Sequence, residues 1–575
     1  MLNFSTTLII LLLLATTPLP AQNITLVKEG KSDWVIVASP EASEPMKHGA
    51  KEIQKHIAEM SGARIPLSES ITPSANGAII IAEDGNLQSE EFRIVTSIPK
   101  EKNEIPKIEI IGDSRRGALY GCYAFLEDVL GCRWYTPEIT YVPKHKTIIV
   151  PPLNIREKPA FEYREPFFFE AFDKDWAVRN RTNGNTQRLD ESVGGHIVYG
   201  RFVHTFQELV PPELYFDEHP EYFSQIDGKR MKGYFQLCLT NPDVLRIAIS
   251  KVKQWIQENP RATIFSVSQN DTYYNCQCEK CKAVEQEEGS PSGTLLRFVN
   301  AIAKEIEKEY PHVLIDTLAY QWSEAPPKKT KPRANVRVRL APIGNCFAHR
   351  IDNCEKNKRM YANLKEWAKI TNKLYIWHYS TNFANYLQPL PSLDEIATSL
   401  PLYKKHGVVG VFYQGSYESP GGALAELKAY LCAKLMWNPL RPVKPIIDDY
   451  LRGVYHDAAP YMKQWLDLIH EEVRNGKHAF IYDSPNADYL TDETLSSSDK
   501  ILSKAEQVVA NDPIAKKQVE KARLWMDYVK LMRLPSGDSR RTPLIKTLVE
   551  KFKRFGITRA KEGEPLEVFF NRIGS

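Results

Sequence analysis

The sequence predicts a three-part α/β protein: a small α/β sandwich domain, then a (β/α)8 TIM-type barrel, then a helical C-terminal domain. Three observations predict it. Between about residues 160 and 440, short apolar runs alternate with helical stretches, as parallel strands joined by crossover helices do. Before that lie four apolar runs and two amphipathic stretches, enough for a two-layer unit. Beyond about residue 441, apolar residues recur at helical spacing with no strand signal. The expected boundaries are 1–21 for a signal peptide, 22–155, 156–440 and 441–575.

In chain order, Leu8 to Ala15 is an apolar run too short to span a bilayer. With Thr-Thr-Pro-Leu-Pro-Ala21 behind it, it fits a secretory signal cleaved after Ala21, although no Lys or Arg precedes it. No later stretch is a transmembrane candidate, so the mature chain is expected to be periplasmic or extracellular. In the sandwich domain, strands are expected at Trp34–Ala38, Ala78–Ala82, Phe92–Val95 and Ile108–Ile111. Ala50, Ile53, Ile57 and Met60 share one helical face that Gly62 ends, and a second helix from Arg115 stops at Gly131. Pro151, Pro152 and Pro159 punctuate the exit.

Eight barrel strands are expected: Glu165–Glu170, His196–Val203, Tyr234–Leu239, Ile264–Ser268, Val313–Tyr320, Val336–Ala341, Leu374–Tyr379 and Val408–Tyr413. A doubly wound open sheet would carry a Gly-rich phosphate turn after an early strand, and none is present. The C-terminal region offers helical faces such as Met462, Trp465, Ile469 and Val473. A net charge of +4 on 575 residues, with Lys and Arg scattered, argues against nucleic acid as a partner.

Barrel chemistry collects at strand C-termini, and the richest such end is Ser268-Gln-Asn270-Asp271. Asp271 is the expected general acid, with Glu170 and Glu324 as candidate catalytic partners and Asp173 and Glu418 as further choices. Asn270, His204, Arg179, Tyr320, Trp377, Tyr379 and Gln414 are the expected substrate contacts. Aromatic rings offer platforms for sugar faces, amides and Arg grip hydroxyls, and glycoside hydrolysis needs a carboxylic acid to protonate the leaving oxygen. Each has a plainer role open to it: Asp271 as a turn cap, Trp377 and Tyr379 as barrel filling, His204 as a core histidine. Catalysis is expected to need no cofactor.

Nine cysteines is an odd count. Cys276-x-Cys278-x-x-Cys281 has metal-ligand spacing but supplies only three local ligands. A structural zinc could take a fourth from Cys346, Cys354 or a histidine; the other readings are one disulfide plus a free thiol, and unpaired structural cysteines.

Arg116-Gly-Ala-Leu-Tyr120, Phe125-Leu-Glu127 and Leu130-Gly-Cys-Arg-Trp-Tyr135 resemble the α/β domain that precedes the barrel in beta-hexosaminidases and alpha-glucuronidases. His219-Pro-Glu-Tyr-Phe223, Gln236-Leu-Cys-Leu-Thr-Asn241, the Asp271 strand end and the cysteine loop resemble the family called domain of unknown function 4838. The resemblance implies a glycoside-hydrolase-type barrel, export and a glycan substrate. Beta-hexosaminidases end the fourth strand with Asp-Glu, and this chain has Asn270-Asp271 there, so the resemblance carries the hydrolase class further than hexosaminidase specificity. The expected function is hydrolysis of O-glycosyl bonds in a complex glycan or polysaccharide. The alternatives are a carbohydrate-binding protein on a degenerate barrel and a zinc-braced interaction module.

Overall fold

The computed structural model describes residues 22–99, 101 and 104–574. The expected signal segment, residues 1–21, lies outside them. The described chain divides into two compact units, one ending at residue 132 and including 142–157, the other comprising residues 133–141 and the chain from 158 onward.

The first unit is a six-stranded sheet in the order Asn154–Glu157, Phe92–Ser97, Lys107–Gly112, Gly77–Glu83, Trp34–Ala38, Leu67–Ser68. Helix Glu44–Ser61 buries Met46, Ala50, Ile53, Ile57 and Met60, the expected stripe. It ends at Gly62, whose φ of 87° lies in the left-handed region that closes helices at little cost only for glycine.

The second unit is organised by a curled sheet of seven parallel strands. These are β1 (Tyr163–Phe167), β2 (Tyr199–Arg201), β3 (Ile264–Ser266), β4 (Leu314–Ala319), β5 (Val336–Leu340), β6 (Leu374–Tyr379) and β7 (Val408–Gln414). Their spatial order is β1-β7-β6-β5-β4-β3-β2. The barrel is therefore short of the eight expected strands, and Tyr234–Leu239 is the one missing. β2 pairs directly with β3, while Leu237 makes only an isolated antiparallel bridge to Phe223. The segment's polar groups explain its exclusion. The Gln236 amide donates to the carbonyls of Asn270 (2.8 Å) and Thr272 (2.9 Å) and accepts from Asn270 N (3.0 Å). These bonds hold it across the β3 exit loop instead of in the sheet.

β1 and β2 are the sheet's two edges. Pro166 in β1 fits an edge position, since proline cannot donate to a second ladder. The seam between them is bridged by a loop. Asn183 Oδ1 accepts from Arg164 N (2.9 Å), Ile197 N donates to the Asn183 carbonyl (2.9 Å), and Tyr199 N donates to Asn185 Oδ1 (2.8 Å). Two asparagines thus bridge the seam that direct pairing of β1 with β2 would have closed.

The sheet encloses a polar centre rather than the branched aliphatic layers usual in such barrels. Val336-Arg-Val-Arg-Leu340 alternates, so Arg337 and Arg339 share a face. Arg339 is fully buried and pairs with Asp316 (Nε–Oδ2 3.4 Å), also fully buried. Its guanidinium donates to the Tyr199 hydroxyl, and Ser266 Oγ donates to Asp316 Oδ1 (3.1 Å). The rings of Tyr163, Tyr199, Phe202, Tyr375, Trp377 and Phe412 surround the guanidinium at 5.0–5.8 Å. Burial pushes the Asp316 carboxyl up against the pull of Arg339. Burial also opposes the charge on Arg339, but Asp316 beside it keeps the guanidinium protonated.

Helices Val443–Tyr455, Ala459–Arg474, Asp492–Val508, Pro513–Arg533, Arg541–Phe555 and Leu566–Ile573 form the C-terminal region. Met462, Trp465, Ile469 and Val473 are buried as their spacing predicts. Among the described residues no helix is long and apolar enough to cross a membrane.

Removing Asp316 leaves Arg339 as an unpaired buried charge. Asp316→Ala is expected to lower unfolding free energy by about 3–5 kcal/mol, and adding Arg339→Met to recover most of it. Urea denaturation checks this; a loss under about 1 kcal/mol for the single variant would remove the pair from its structural role.

Candidate active site at the mouth of the half-barrel

After β3 Val267 N still donates to the Asp316 carbonyl (2.8 Å), and the chain then leaves the sheet through Ser268–Asn270 to Asp271. The residues before the tip are consumed by positioning it. Ser268 Oγ accepts from His204 N (2.9 Å), and Gln269 Nε2 donates to Ser323 Oγ (2.7 Å) and the Tyr320 carbonyl (3.2 Å). Asn270 donates to the Phe235 carbonyl (2.7 Å) and accepts from Gln207 N (3.2 Å). Asp271 alone is exposed, taking hydrogen bonds from Gln321 Nε2 (3.1 Å) and the Tyr320 hydroxyl. His204 and Gln321, on either side of it, both hold left-handed backbone (φ 58° and 53°), a conformation that non-glycine residues keep only where their surroundings enforce it.

Asp271 opens on a cavity of about 340 Å³. His204, Tyr320, Trp377, Tyr379 and Gln414 line it, so most of the expected substrate contacts converge there. His204 Nδ1 faces the Gln269 carbonyl at 2.8 Å. The ring donates there, which leaves Nε2 as an acceptor. Trp377 packs against Phe412 in a tilted pair with centroids 4.4 Å apart, and its Nε1 donates to Gln414 Oε1 (2.8 Å).

The cavity also contains residues that the sequence reading missed: Phe167, Phe202, Tyr417, Tyr482 and, above all, Glu562. Glu562 accepts from Gln414 Nε2 (3.3 Å) and from the Tyr417 hydroxyl. Its backbone N donates to the Phe383 carbonyl (2.9 Å), and Gly563 N donates to Glu418 Oε2 (2.8 Å). Burial pushes the Glu562 carboxyl above the usual carboxylate range, and the negative charges of Glu418 and Asp271 add to that, against the Tyr417 hydrogen bond. Glu418 is thus the anchor of the Glu562 loop.

Four expected site residues lie elsewhere. Glu324 bonds Asn363 Nδ2 (2.7 Å) and Arg359 (3.1 Å), tying helix Lys358–Ile370 to the end of β4. Arg179 closes its own short helix beside Asp175 (3.4 Å). Asn270 is turned into the loops as described. Glu170 accepts from Gly421 N (3.0 Å) in a pocket with Glu426 and Lys521, and its Oε2 is buried without a hydrogen-bond partner. A strand-end position gave each of them a candidate role, but side-chain direction decides, and all four point away from the mouth. Asp173 is a helix cap, accepting from Trp176 N (2.8 Å).

The thiols of Cys276, Cys278 and Cys281 meet a fourth that the sequence did not suggest, Cys238. All four are buried, and their sulfurs lie within 4.8 Å of one another. Cys238 Sγ is 3.7 Å from Cys278 Sγ and 4.0 Å from Cys281 Sγ. Four sulfurs on a tetrahedral zinc at about 2.3 Å stand about 3.8 Å apart, whereas a disulfide needs about 2.05 Å. The donor set fits zinc, and Cys346 and Cys354 are not part of it. The cluster joins the excluded segment 234–240 to the loop behind Asp271.

A family described as domain of unknown function (DUF4838) matches residues 134–467, more than half of the 575. The chain belongs to this family. Among curated proteins, none matches. Among solved structures, the chain resembles a family GH115 4-O-methyl-alpha-glucuronidase with specificity for decorated arabinogalactans. The TM-score is 0.59 at 11% identity, covering 92% of this chain and 77% of that one. It also resembles a family 89 glycoside hydrolase from Clostridium perfringens, with a TM-score of 0.48 at 10% identity, covering 88% of this chain and 65% of that one. The likeness to the GH115 enzyme shows that this DUF4838 member has a glycoside-hydrolase-type barrel fold, and at 11% identity it speaks for fold alone. Tyr482 and Glu562 stand beyond the residues that the family description covers.

Glu170 gives a pH test. Burial pushes its carboxyl from 4.5 up to about 7. The folded chain therefore holds a proton that the unfolded chain has released, so stability from this group is full below 4.5 and is lost as pH rises through about 7. Glu170→Gln is expected to flatten the fall in urea midpoint across that window. An unchanged slope would show that the carboxyl ionises freely in the folded protein.

Proposed function

We propose that this protein is an exported glycoside hydrolase acting on a complex glycan, with Glu562 as proton donor and Asp271 as the partner carboxylate. One observation carries the reading. A carboxyl whose ionisation is disfavoured by burial shares an aromatic-walled cavity with a second carboxylate, at the mouth of a parallel barrel. This moves the acid from Asp271, where the sequence put it, to Glu562.

Glu562 transfers its proton to the glycosidic oxygen as the bond from that oxygen to the anomeric carbon breaks. Asp271 either takes the proton of a water attacking the anomeric carbon or attacks that carbon itself, water then releasing the sugar. In both cases one water is consumed, and the anomer first released tells the two apart. Trp377, Tyr379 and Phe202 offer faces for the ring's C–H groups, while His204 Nε2 and Gln414 offer polar contacts for hydroxyls. The apolar run Leu8 to Ala15 followed by Pro20-Ala21 supports export.

The test is release of reducing sugar from a glycan panel that includes decorated arabinogalactan. Asp271→Asn and Glu562→Gln are each expected to cut kcat/KM by about 10²–10⁴, and Glu562→Gln also to remove the alkaline limb of the pH profile. Activity untouched by both variants would sink the assignment. Binding without release by wild-type protein would favour the carbohydrate-binding alternative.

A further inference from the structure

The two cysteines expected near the first cluster form a second one. Cys346 and Cys354 lie in the loop after β5, and they face His349 of that loop and His478, which follows helix Ala459–Arg474. The two sulfurs and two imidazole nitrogens lie within 4.8 Å of one another, the cysteines buried and the histidines half-buried.

The separations have the pattern of a coordination sphere. Cys346 Sγ is 3.4 Å from both His349 Nδ1 and His478 Nδ1. Cys354 Sγ is 3.8 Å from the same two nitrogens. A tetrahedral zinc with bonds of about 2.3 Å to sulfur and about 2.0–2.1 Å to nitrogen sets sulfur and nitrogen about 3.6 Å apart. The histidine rings stand at 89° to each other, edge to face, and the short distances from each Nδ1 to both sulfurs bring the four donors together.

A second observation points to a metal. His349 Nε2 meets the Val473 carbonyl at 2.6 Å. That bond places the ring proton on Nε2 and leaves the Nδ1 lone pair facing the thiols, the orientation that outer partners impose on metal-binding histidines. The loop is fixed independently, since Cys346 N donates to Asn357 Oδ1 (2.8 Å) and Asn357 Nδ2 donates back to the Cys346 carbonyl (3.0 Å). A Cys346–Cys354 disulfide would leave both imidazole lone pairs aimed at a bonded pair of sulfurs, and both cysteines are free.

We propose that Cys346, His349, Cys354 and His478 hold a structural zinc ion that fastens the segment around residue 478 to the loop after β5. Two thiolates and two imidazoles, with no carboxylate among them, form a closed four-coordinate set that suits zinc and keeps no open position for catalysis. The clasp has a functional address. Phe347 N donates to the Ala479 carbonyl (2.8 Å) and Phe383 N to the Ile481 carbonyl (2.7 Å), and the next residue, Tyr482, lines the cavity with Asp271 and Glu562. The ion would fix one wall of the site without touching substrate.

The test is zinc content of the full-length protein, prepared without chelator, by plasma mass spectrometry. About two equivalents per chain are expected, one for each cluster. The double variant Cys354→Ser/His478→Ala is expected to lose one equivalent and Cys238→Ser the other, so failure of one site is distinguishable from failure of the other. Wild-type protein exchanged with cobalt keeps the test decisive if a variant does not fold: two sets of d–d bands are expected, the S2N2 set at shorter wavelength than the S4 set. Zinc content unchanged by the double variant, a single S4 spectrum, or a Cys346–Cys354 disulfide found by peptide mapping would each overturn the proposal.

Discussion

Arg339 carries a positive charge in the middle of the curled sheet with no route to water, and the arrangement around the mouth follows from keeping it there. A lone buried ion is prohibitively costly, so Asp316 must face it, and Tyr199 and Ser266 must hold the carboxylate and hydroxyl in place. The rings that surround the guanidinium are not only filling. Phe202 and Trp377 lie against Arg339 on one side and line the cavity on the other. Trp377 then orients Gln414, and Gln414 orients Glu562. A continuous line of contact runs from the barrel's internal ion pair to the carboxyl most suited to give up a proton.

The lost strand works in the same direction. A segment paired on both sides in a closed barrel has its backbone committed and can offer a loop nothing but side chains. Displaced from the sheet, residues 234–240 give Gln236 to the backbone of the Asp271 loop and Cys238 to the thiol cluster behind it. The irregularity therefore braces the loop that carries Asp271, and two asparagines bridge the other break in the sheet. Sheet regularity has been exchanged for rigidity at the mouth.

The sequence made the strands legible where apolar runs were continuous, as in Ile264-Phe-Ser and Val408-Val-Gly-Val-Phe, because a parallel strand buried on both faces needs nothing else. It misread Tyr234–Leu239 for the same reason: an apolar run interrupted only by Gln236 looks like a strand, and only the destination of the Gln236 amide shows otherwise. Trp377, Tyr379, Tyr320 and Asp271 were legible because strand ends of a barrel converge by topology. Glu562 was not. It sits in Lys561-Glu-Gly-Glu564, a charged turn that reads as solvated surface, nearly three hundred residues from Asp271. One available signal was Val336-Arg-Val-Arg-Leu340, since alternating arginine in an otherwise buried strand implies an internal counter-charge, and Asp316 sits in the neighbouring strand.

What the mouth can do depends on chain that the family description does not reach. The match to residues 134–467 contains Asp271 and the aromatic platform but neither Tyr482 nor Glu562. The matched residues bring a single carboxylate, Asp271, to the aromatic lining of the cavity and no second one. The helical region supplies that second group on a turn held by Glu418 and the Phe383 backbone. It supplies the tyrosine wall on another turn, gathered at Cys346, His349, Cys354 and His478. The two carboxylates of the cavity therefore come from either side of that boundary, Asp271 from the barrel and Glu562 from a turn of the helical region, with Tyr482 beside them.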